Sequence, residues 1–350
     1  MSVEFRDVVK RYGTTTAVSG ISFTVETGSL VTLLGPSGCG KTTTLRMIAG
    51  LELPSEGRIL IAGRDVTRLS ATERDVSMVF QSYALFPHMS VLDNVCYGLR
   101  RSGHSKEAAA QQARAGLAQV GLAGYEGRQP SELSGGQQQR VAVARALVLK
   151  PSVLLFDEPL SNLDARLRRQ MREDIRELQQ ALGLTVVYVT HDQQEAMAVS
   201  DRIIVMNVGR IEQEGTPRDL YERPATPFLA RFMGESNPAR AHLHRLDPQR
   251  LRVQLGPATI DIDNGTASDG EATVAVRPEA ITVEAAPGPA NALPGTVVKA
   301  SYVGTHIEYS IETEAGTLFA TCPQVDRPLA PGAAVALVLA PRGVIVVESR

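Results

Sequence analysis

Over the first two-thirds of the chain, short apolar runs alternate with amphipathic stretches. Residues 3–9 (VEFRDVV) and 21–25 (ISFTV) alternate like half-buried strands, with Tyr12-Gly13 at a turn between them. Residues 30–34, 76–80, 153–156, 185–189 and 203–206 are short apolar runs of the kind that buried parallel strands require. Residues 59–61, after Ser55-Glu56-Gly57, read as one more strand. Helical patterns fall between these runs. Residues 42–49 place apolar side chains at 45, 48 and 49. Residues 106–120 are rich in Ala and Gln and stop at Gly121. Residues 136–149 put Val141, Ala144, Leu147 and Val148 on one face, and Leu167, Met171, Ile175, Leu178 and Leu182 follow at spacings of four and three.

Strands alternating with helices imply an α/β unit with a mostly parallel sheet, into which residues 85–151 insert a helical segment. Around residues 224–238 the chain turns Pro-rich and irregular, as a linker does. Beyond it, residues 274–276, 295–298, 307–311, 335–339 and 344–347 are short strands separated by Gly and Pro, the pattern of an all-β, barrel-like domain. The expected division is residues 1–235 and 236–350, in line with a length of 350 that favours two domains.

Composition narrows the class without naming it. Charge is balanced, 36 basic against 38 acidic residues, which gives no reason to expect a nucleic-acid partner. Three widely separated cysteines argue for a reducing compartment and against a disulfide framework, and their spacing suits no zinc site. The N-terminus has no apolar core of a secretory signal. The longest apolar run, near residues 333–340, is far short of the ~20 residues of a membrane helix. The chain is therefore expected to be soluble and cytosolic, with any membrane role coming through a partner.

The chemistry concentrates at Gly35-Pro36-Ser37-Gly38-Cys39-Gly40-Lys41-Thr42, a G-x-x-x-x-G-K-[ST] pattern between a strand and a helix. The glycines let the backbone curl so that several N–H groups point at one phosphate, and the helix N-terminus adds its positive end. Lys41 is placed for the β- and γ-phosphates, the Thr42 hydroxyl for Mg²⁺, and Thr43 is counted with the same set. A Gly-rich turn is the bland alternative, and the flanking strand and helix weigh against it. Residues 153–156 run into Asp157 and Glu158. After a P-loop such an Asp holds Mg²⁺, and the next acid is placed to orient or deprotonate the attacking water; a solvated turn is the other reading. Leu133-Ser134-Gly135-Gly136-Gln137 opens a helix as a second anion site or as a flexible cap. Cys39, inside the loop, reads first as a small residue that fits, and second as a thiol whose modification blocks ATP.

With that pentapeptide the chain resembles the ATP-binding cassette (ABC) ATPase family over about residues 3–235. The matching parts are the Walker A loop, a Q-loop Gln81, the signature at 133–137, the Walker B strand ending at Asp157, a D-loop (Ser161-Asn162-Leu163-Asp164) and a switch His191. The resemblance implies that Tyr12 stacks on adenine and that Val18 lines the same base. It also implies that Gln81 bridges Mg²⁺ and the lytic water, that His191 contacts the γ-phosphate and that Asp164 meets the opposite subunit. In the family the signature of one subunit closes on nucleotide held by the P-loop of the other. Ser134, Gly135, Gly136 and Gln137 would thus complete a second copy's site, and the implied unit is a homodimer with two interfacial ATP sites.

Residues 274–279 and 295–298 resemble the TOBE-type regulatory domain of importer ATPases, an OB-like barrel, and residues 82–88 resemble the corresponding segment of importers for ferric iron, polyamines, phosphonates, sulfate and sugars. The implied function is the ATP-hydrolysing subunit of a bacterial importer, peripheral on the cytoplasmic face of the inner membrane. Its partners would be a permease and, indirectly, an extracytoplasmic binding protein. Ferric iron leads the implied substrates, with polyamine or 2-aminoethylphosphonate behind it. A soluble regulator of the same family without a permease, and a P-loop kinase lacking a visible acceptor site, are the alternatives.

Overall fold

The computed structural model describes residues 2–263 and 267–347. It divides at Pro217/Arg218 into two compact units. In the first, β1 (Val3–Tyr12), β2 (Thr15–Val25), β3 (Leu30–Leu34), α1 (Lys41–Ala49), β4 (Glu56–Ile61), β5 (Arg64–Asp65) and β6 (Val76–Val79) precede three helices, α2 (Val91–Arg101), α3 (Lys106–Gln119) and α4 (Gly135–Leu147). Then come β7 (Val153–Asp157), α5 (Ala165–Leu182), β8 (Val186–Thr190), α6 (Gln193–Val199), β9 (Arg202–Asn207) and β10 (Arg210–Gly215).

Two sheets result. One has the order β2-β1-β4-β5 and is antiparallel; the other has the order β10-β9-β3-β8-β7-β6, parallel except for β10. Every residue of β3, β7 and β8 is buried, which explains why their sequences are continuous apolar runs rather than alternations. Because β3, β8, β7 and β6 are parallel neighbours, the residues that follow each of them leave the sheet at one end. Loops after adjacent parallel strands are where α/β sheets place their ligands.

Two elements of this unit lie outside the periodic patterns. Helix α2 carries Tyr97 and Gly98 in its interior, yet it is capped by Ser90 and buries Val91, Val95, Cys96 and Leu99 against α3 and α4. Strand β10 follows β9 after a tight turn at Val208-Gly209; it is polar and only half-buried, so no apolar run announces it.

The second unit opens within a short helix, α7 (Pro217–Glu222), followed by α8 (Pro227–Phe232). The strands after it are β11 (Asn237–Arg245), β12 (Arg250–Leu255), β13 (Ala258–Asp263), β14 (Gly270–Val276), β15 (Ile281–Ala285), β16 (Leu293–Tyr302), β17 (Ile307–Thr313), β18 (Gly316–Cys322), β19 (Ala334–Leu339) and β20 (Val344–Val347). They form two curled five-stranded antiparallel sheets, β13-β12-β11-β14-β20 and β15-β19-β16-β17-β18. Their inward residues make one apolar core. The stretch read as a linker is thus ordered: it contains α8 and the start of β11. One reason is Arg277, almost fully buried, whose guanidinium donates to the carbonyls of Tyr221 (2.9 Å), Ala230 (2.8 Å), Gly234 (2.8 Å) and Glu235 (3.2 Å); Ala230 also packs on Ala275 and Val347. Residues 218–235 therefore pack with the second unit, and the contact boundary falls before them.

Candidate nucleotide site

Four loops meet at the carboxyl end of the parallel sheet. After β3, the P-loop turns into α1 through Gly40, which has φ +104 and caps the helix without a side chain. A Cβ on Gly40 would stand 2.6 Å from the Ala17 carbonyl oxygen, and one on Gly35 would collide with the Met206 carbonyl. Only glycine lets the loop lie this close to its neighbours. Lys41 is buried, and its ammonium donates to the carbonyls of Gly35 (2.7 Å) and Pro36 (2.9 Å). Its Nζ also lies 3.8 Å from Cys39 Sγ. Burial pushes the Cys39 thiol up, and the Lys41 charge opposes that only in part.

Across from the loop, Thr42 donates its hydroxyl to Asp157 Oδ1 at 3.4 Å. Asp157 is buried at the end of β7, and desolvation, with the Glu158 charge behind it, raises its pKa against the pull of Arg46, Thr42 and Lys41. A carboxylate held this way gains from a cation beside it. Glu158 has φ +45, a left-handed backbone that turns the chain sharply off the strand. Its Oε2 accepts from His191 Nδ1 at 3.0 Å; a carboxylate can only accept here, so Nδ1 carries the proton. His191 follows β8 and sits above a buried network in which Tyr188 and Thr190 donate to Glu195.

Gln81 follows β6. Its side chain donates to Ser161 Oγ at 3.1 Å, its carbonyl accepts from Asn162 at 3.0 Å, and Ser161 in turn donates to the Glu158 carbonyl at 3.0 Å. Gln81, Glu158 and the segment 161–162 are thus one hydrogen-bonded assembly. Ser161 and Asn162 carry these links, yet the sequence pattern marks them only as part of a loop. Arg74 has no sequence signal at all. It is buried and donates to Leu69 (3.0 Å) and to Met47 and Ile48 at the end of α1 (2.5 and 3.0 Å). An Arg in an irregular stretch shows no periodicity that would single it out.

The pentapeptide stands apart from this cluster. Ser134 caps α4: its hydroxyl accepts from the Gln137 N–H at 3.4 Å, and its own N–H donates to Gln137 Oε1 at 2.9 Å. Gly135 and Gly136 face Leu163 and Leu167 so closely that a Cβ would lie 3.2 and 2.8 Å from their methyl groups. Asp164 caps α5, accepting from the Leu167 N–H at 2.9 Å. Among the described residues no hydrogen bond joins 133–137 to 35–43. Tyr12 is exposed, with the Lys10 ammonium 4.7 Å from its ring centre. Val18 is fully buried behind Gly40 and supports the loop from below.

Comparison with known proteins agrees with both units. The ABC transporter family model matches residues 18–161, and the TOBE domain model matches residues 274–347. The Fe(3+) ions import ATP-binding proteins FbpC 1 of Rhizobium meliloti (strain 1021) and FbpC of Agrobacterium fabrum are each 58% identical, covering 99% of this chain and 98% of theirs. The dimeric structure of MJ0796, a bacterial ABC transporter cassette, aligns with 62% of this chain and 99% of its own at a TM-score of 0.56 and 32% identity. The same cassette in a post-hydrolysis state bound to ADP and Pi aligns at a TM-score of 0.55 and 33% identity. Similarity that runs unbroken through the nucleotide-site loops and the β-sheet unit alike has one reading: the chain belongs to the ABC transporter ATP-binding proteins, ATPases that carry a TOBE domain.

Proposed function

We propose that this chain is the ATP-hydrolysing subunit of a bacterial ferric-iron importer, working as a homodimer on the cytoplasmic face of a membrane permease. The observation that carries the iron assignment is the 58% identity, over nearly the whole length, to Fe(3+) import ATP-binding proteins. No helix among the described residues is long and apolar enough to cross a membrane, so the substrate path belongs to a partner. An extracytoplasmic binding protein would deliver the iron to that partner.

The residues fit ATP and Mg²⁺. The loop is shaped by glycines that no Cβ can replace, Lys41 lies within it, and Thr42 and Asp157 present two oxygens of the hard type that Mg²⁺ prefers. Gln81, tied through Ser161 to the Glu158 carbonyl, would add its amide oxygen as a third donor. Mg²⁺ held by these residues would supply positive charge against the phosphates. The protein's own part is positioning and proton handling. The loop N–H groups and Lys41 hold the phosphates, and Tyr12 offers its face to the base. Glu158 Oε2 orients the attacking water and takes its proton, while His191 Nδ1–H keeps that carboxylate aimed. Ser134, Gly135, Gly136 and Gln137 would bind the γ-phosphate held by a second copy, which gives the detached pentapeptide its purpose. Asp164 stands at the start of α5, within the same dimer face. ATP binding closes the dimer; hydrolysis and phosphate release reopen it, and the permease converts this cycle into alternating access.

Deleting this chain from its native cell and measuring uptake of radiolabelled ferric iron, putrescine and 2-aminoethylphosphonate tests the assignment. Selective loss of iron uptake is the expected result. Loss of only one of the other two would move the substrate, and no change in any uptake, with no integral membrane protein co-purifying, would favour a soluble regulator.

A further inference from the structure

We propose that the second unit carries an open binding site for a borderline divalent metal ion of the Cu²⁺, Ni²⁺ and Zn²⁺ class, formed by His242 and His244. Both lie on β11, two residues apart, and strand alternation puts their side chains on the same exposed face. Their rings stand 4.7 Å apart, centre to centre, tilted by 51°. Among the described residues neither ring has a hydrogen bond or ion pair, so nitrogen lone pairs are available on both.

The surroundings are suited to a cation on one flank. In the sheet register His242 faces Glu271 on β14 and Gln254 on β12. Glu271 thus places a negative charge on the neighbouring strand, without converging on the two rings as a third ligand. Asp269, just before the start of β14, adds a second negative charge, held by the Arg245 N–H. Three cations lie nearby, among them Arg245, next to His244, whose guanidinium donates to the Ala267 carbonyl. Arg252, opposite His244, is already neutralised by Asp261 in a two-point contact of 2.7 and 3.0 Å, and Arg240 stands two residues before His242 on the same face.

The donor set decides the ion. Two imidazoles suit Cu²⁺, Ni²⁺ and Zn²⁺, with Cu²⁺ bound most tightly; hard ions such as Mg²⁺, Ca²⁺ or Fe³⁺ prefer oxygen. No three His, Cys, Asp or Glu side chains converge to close a full shell among the described residues. The site is therefore a two-nitrogen chelate with water in its remaining positions, exchangeable rather than structural. It is independent of the transport assignment and of the nucleotide loops.

The test uses the full-length protein without a polyhistidine tag or nucleotide, titrated with CuCl₂ and, separately, ZnCl₂ by calorimetry. One ion per chain is expected, with two-nitrogen superhyperfine splitting in the Cu²⁺ electron paramagnetic resonance spectrum. H242Q and H244Q should each weaken binding by at least about tenfold, the loss expected when a chelate becomes a single imidazole, while H306Q should leave it unchanged. Both substituted side chains are on the surface, and an unchanged melting curve will show that the variants fold. No stoichiometric binding by the wild type, or equal affinity in the H242Q/H244Q double variant, overturns the proposal.

Discussion

Lys41 shows how much a single residue contributes to the nucleotide site. Its ammonium is buried and bonded to loop carbonyls, so Lys41→Ala removes charge-assisted contacts worth about 1.5–3 kcal/mol each to a bound phosphate. Nucleotide affinity, read by fluorescent ATP-analogue titration, should fall at least about tenfold; unchanged affinity would refute the loop's role. Glu158→Gln keeps the shape and removes the proton acceptor. Turnover should drop by about 10²–10⁴-fold while ATP stays bound and a dimer accumulates on size exclusion; full activity would remove Glu158 from the role of base. Cys39 makes a prediction about pH. The thiolate is the reactive form, and burial pushes this thiol above the ordinary range, so less thiolate is present at any given pH. Inactivation by N-ethylmaleimide should be slow at neutral pH and keep accelerating above pH ~8.5, where an ordinary thiol levels off. ATP should protect, and Cys39→Ser should be active and insensitive. Equal sensitivity in Cys39→Ser would place the reaction elsewhere.

At the scale of elements, two glycines that look alike in sequence do different work. Gly40 joins the P-loop to α1 at φ +104, with the Ala17 backbone directly opposite. Backbone cannot yield, so Gly40→Ala should cost about 1–3 kcal/mol and abolish nucleotide binding through a distorted loop. Gly136 lies in α4 in ordinary helical conformation, and its neighbour is the flexible end of Leu167 on α5. Gly136→Ala should therefore cost under about 1.5 kcal/mol, with the side chain rotating away. Parallel thermal melts separate the two: a loss at Gly136 as large as that at Gly40 would mean that the α4–α5 contact is rigid. The assembly of Gln81, Ser161, Asn162 and Glu158 belongs to this scale too, because it ties the loop leading into the helical insertion to the backbone of Glu158.

For the whole molecule, one buried cation is prominent among the contacts that place residues 218–235 in the second unit. Arg277 bonds four carbonyls of residues 221–235 and sits 4.3 Å from the Tyr221 ring centre. Arg277→Ala would leave buried carbonyls unpaired and open a cavity, so the second unit should lose about 3–5 kcal/mol. Limited proteolysis should then cut within residues 221–236 in the variant and not in the wild type. Resistance equal to wild type would show that α7 and α8 are held by other contacts.

Much of the site is legible in the amino-acid sequence alone, because its chemistry demands particular residues at fixed spacing. A P-loop must have its glycines and lysine, and an apolar strand ending in two acids announces itself. The buried strands β3, β7 and β8 are equally plain, since strands covered on both faces must be apolar throughout. Strands β11 to β13 escape a reading by short apolar runs, because each alternates single apolar residues with outward Arg, His, Gln or Asp, the period-two pattern of a strand with one wet face. Helix α8 hides in a Pro-rich stretch, where its order depends on an Arg some forty residues away in sequence. Only the tertiary structure decided which loops meet: the order β9-β3-β8-β7-β6 brings 35–42, 191, 157–158 and 81 to one end of a sheet. Spacing along a chain encodes local chemistry, but neighbourhood between distant segments is set by strand pairing and burial. The sequence by itself therefore determined the P-loop pattern at 35–42, and the fold determined which groups gather beside it.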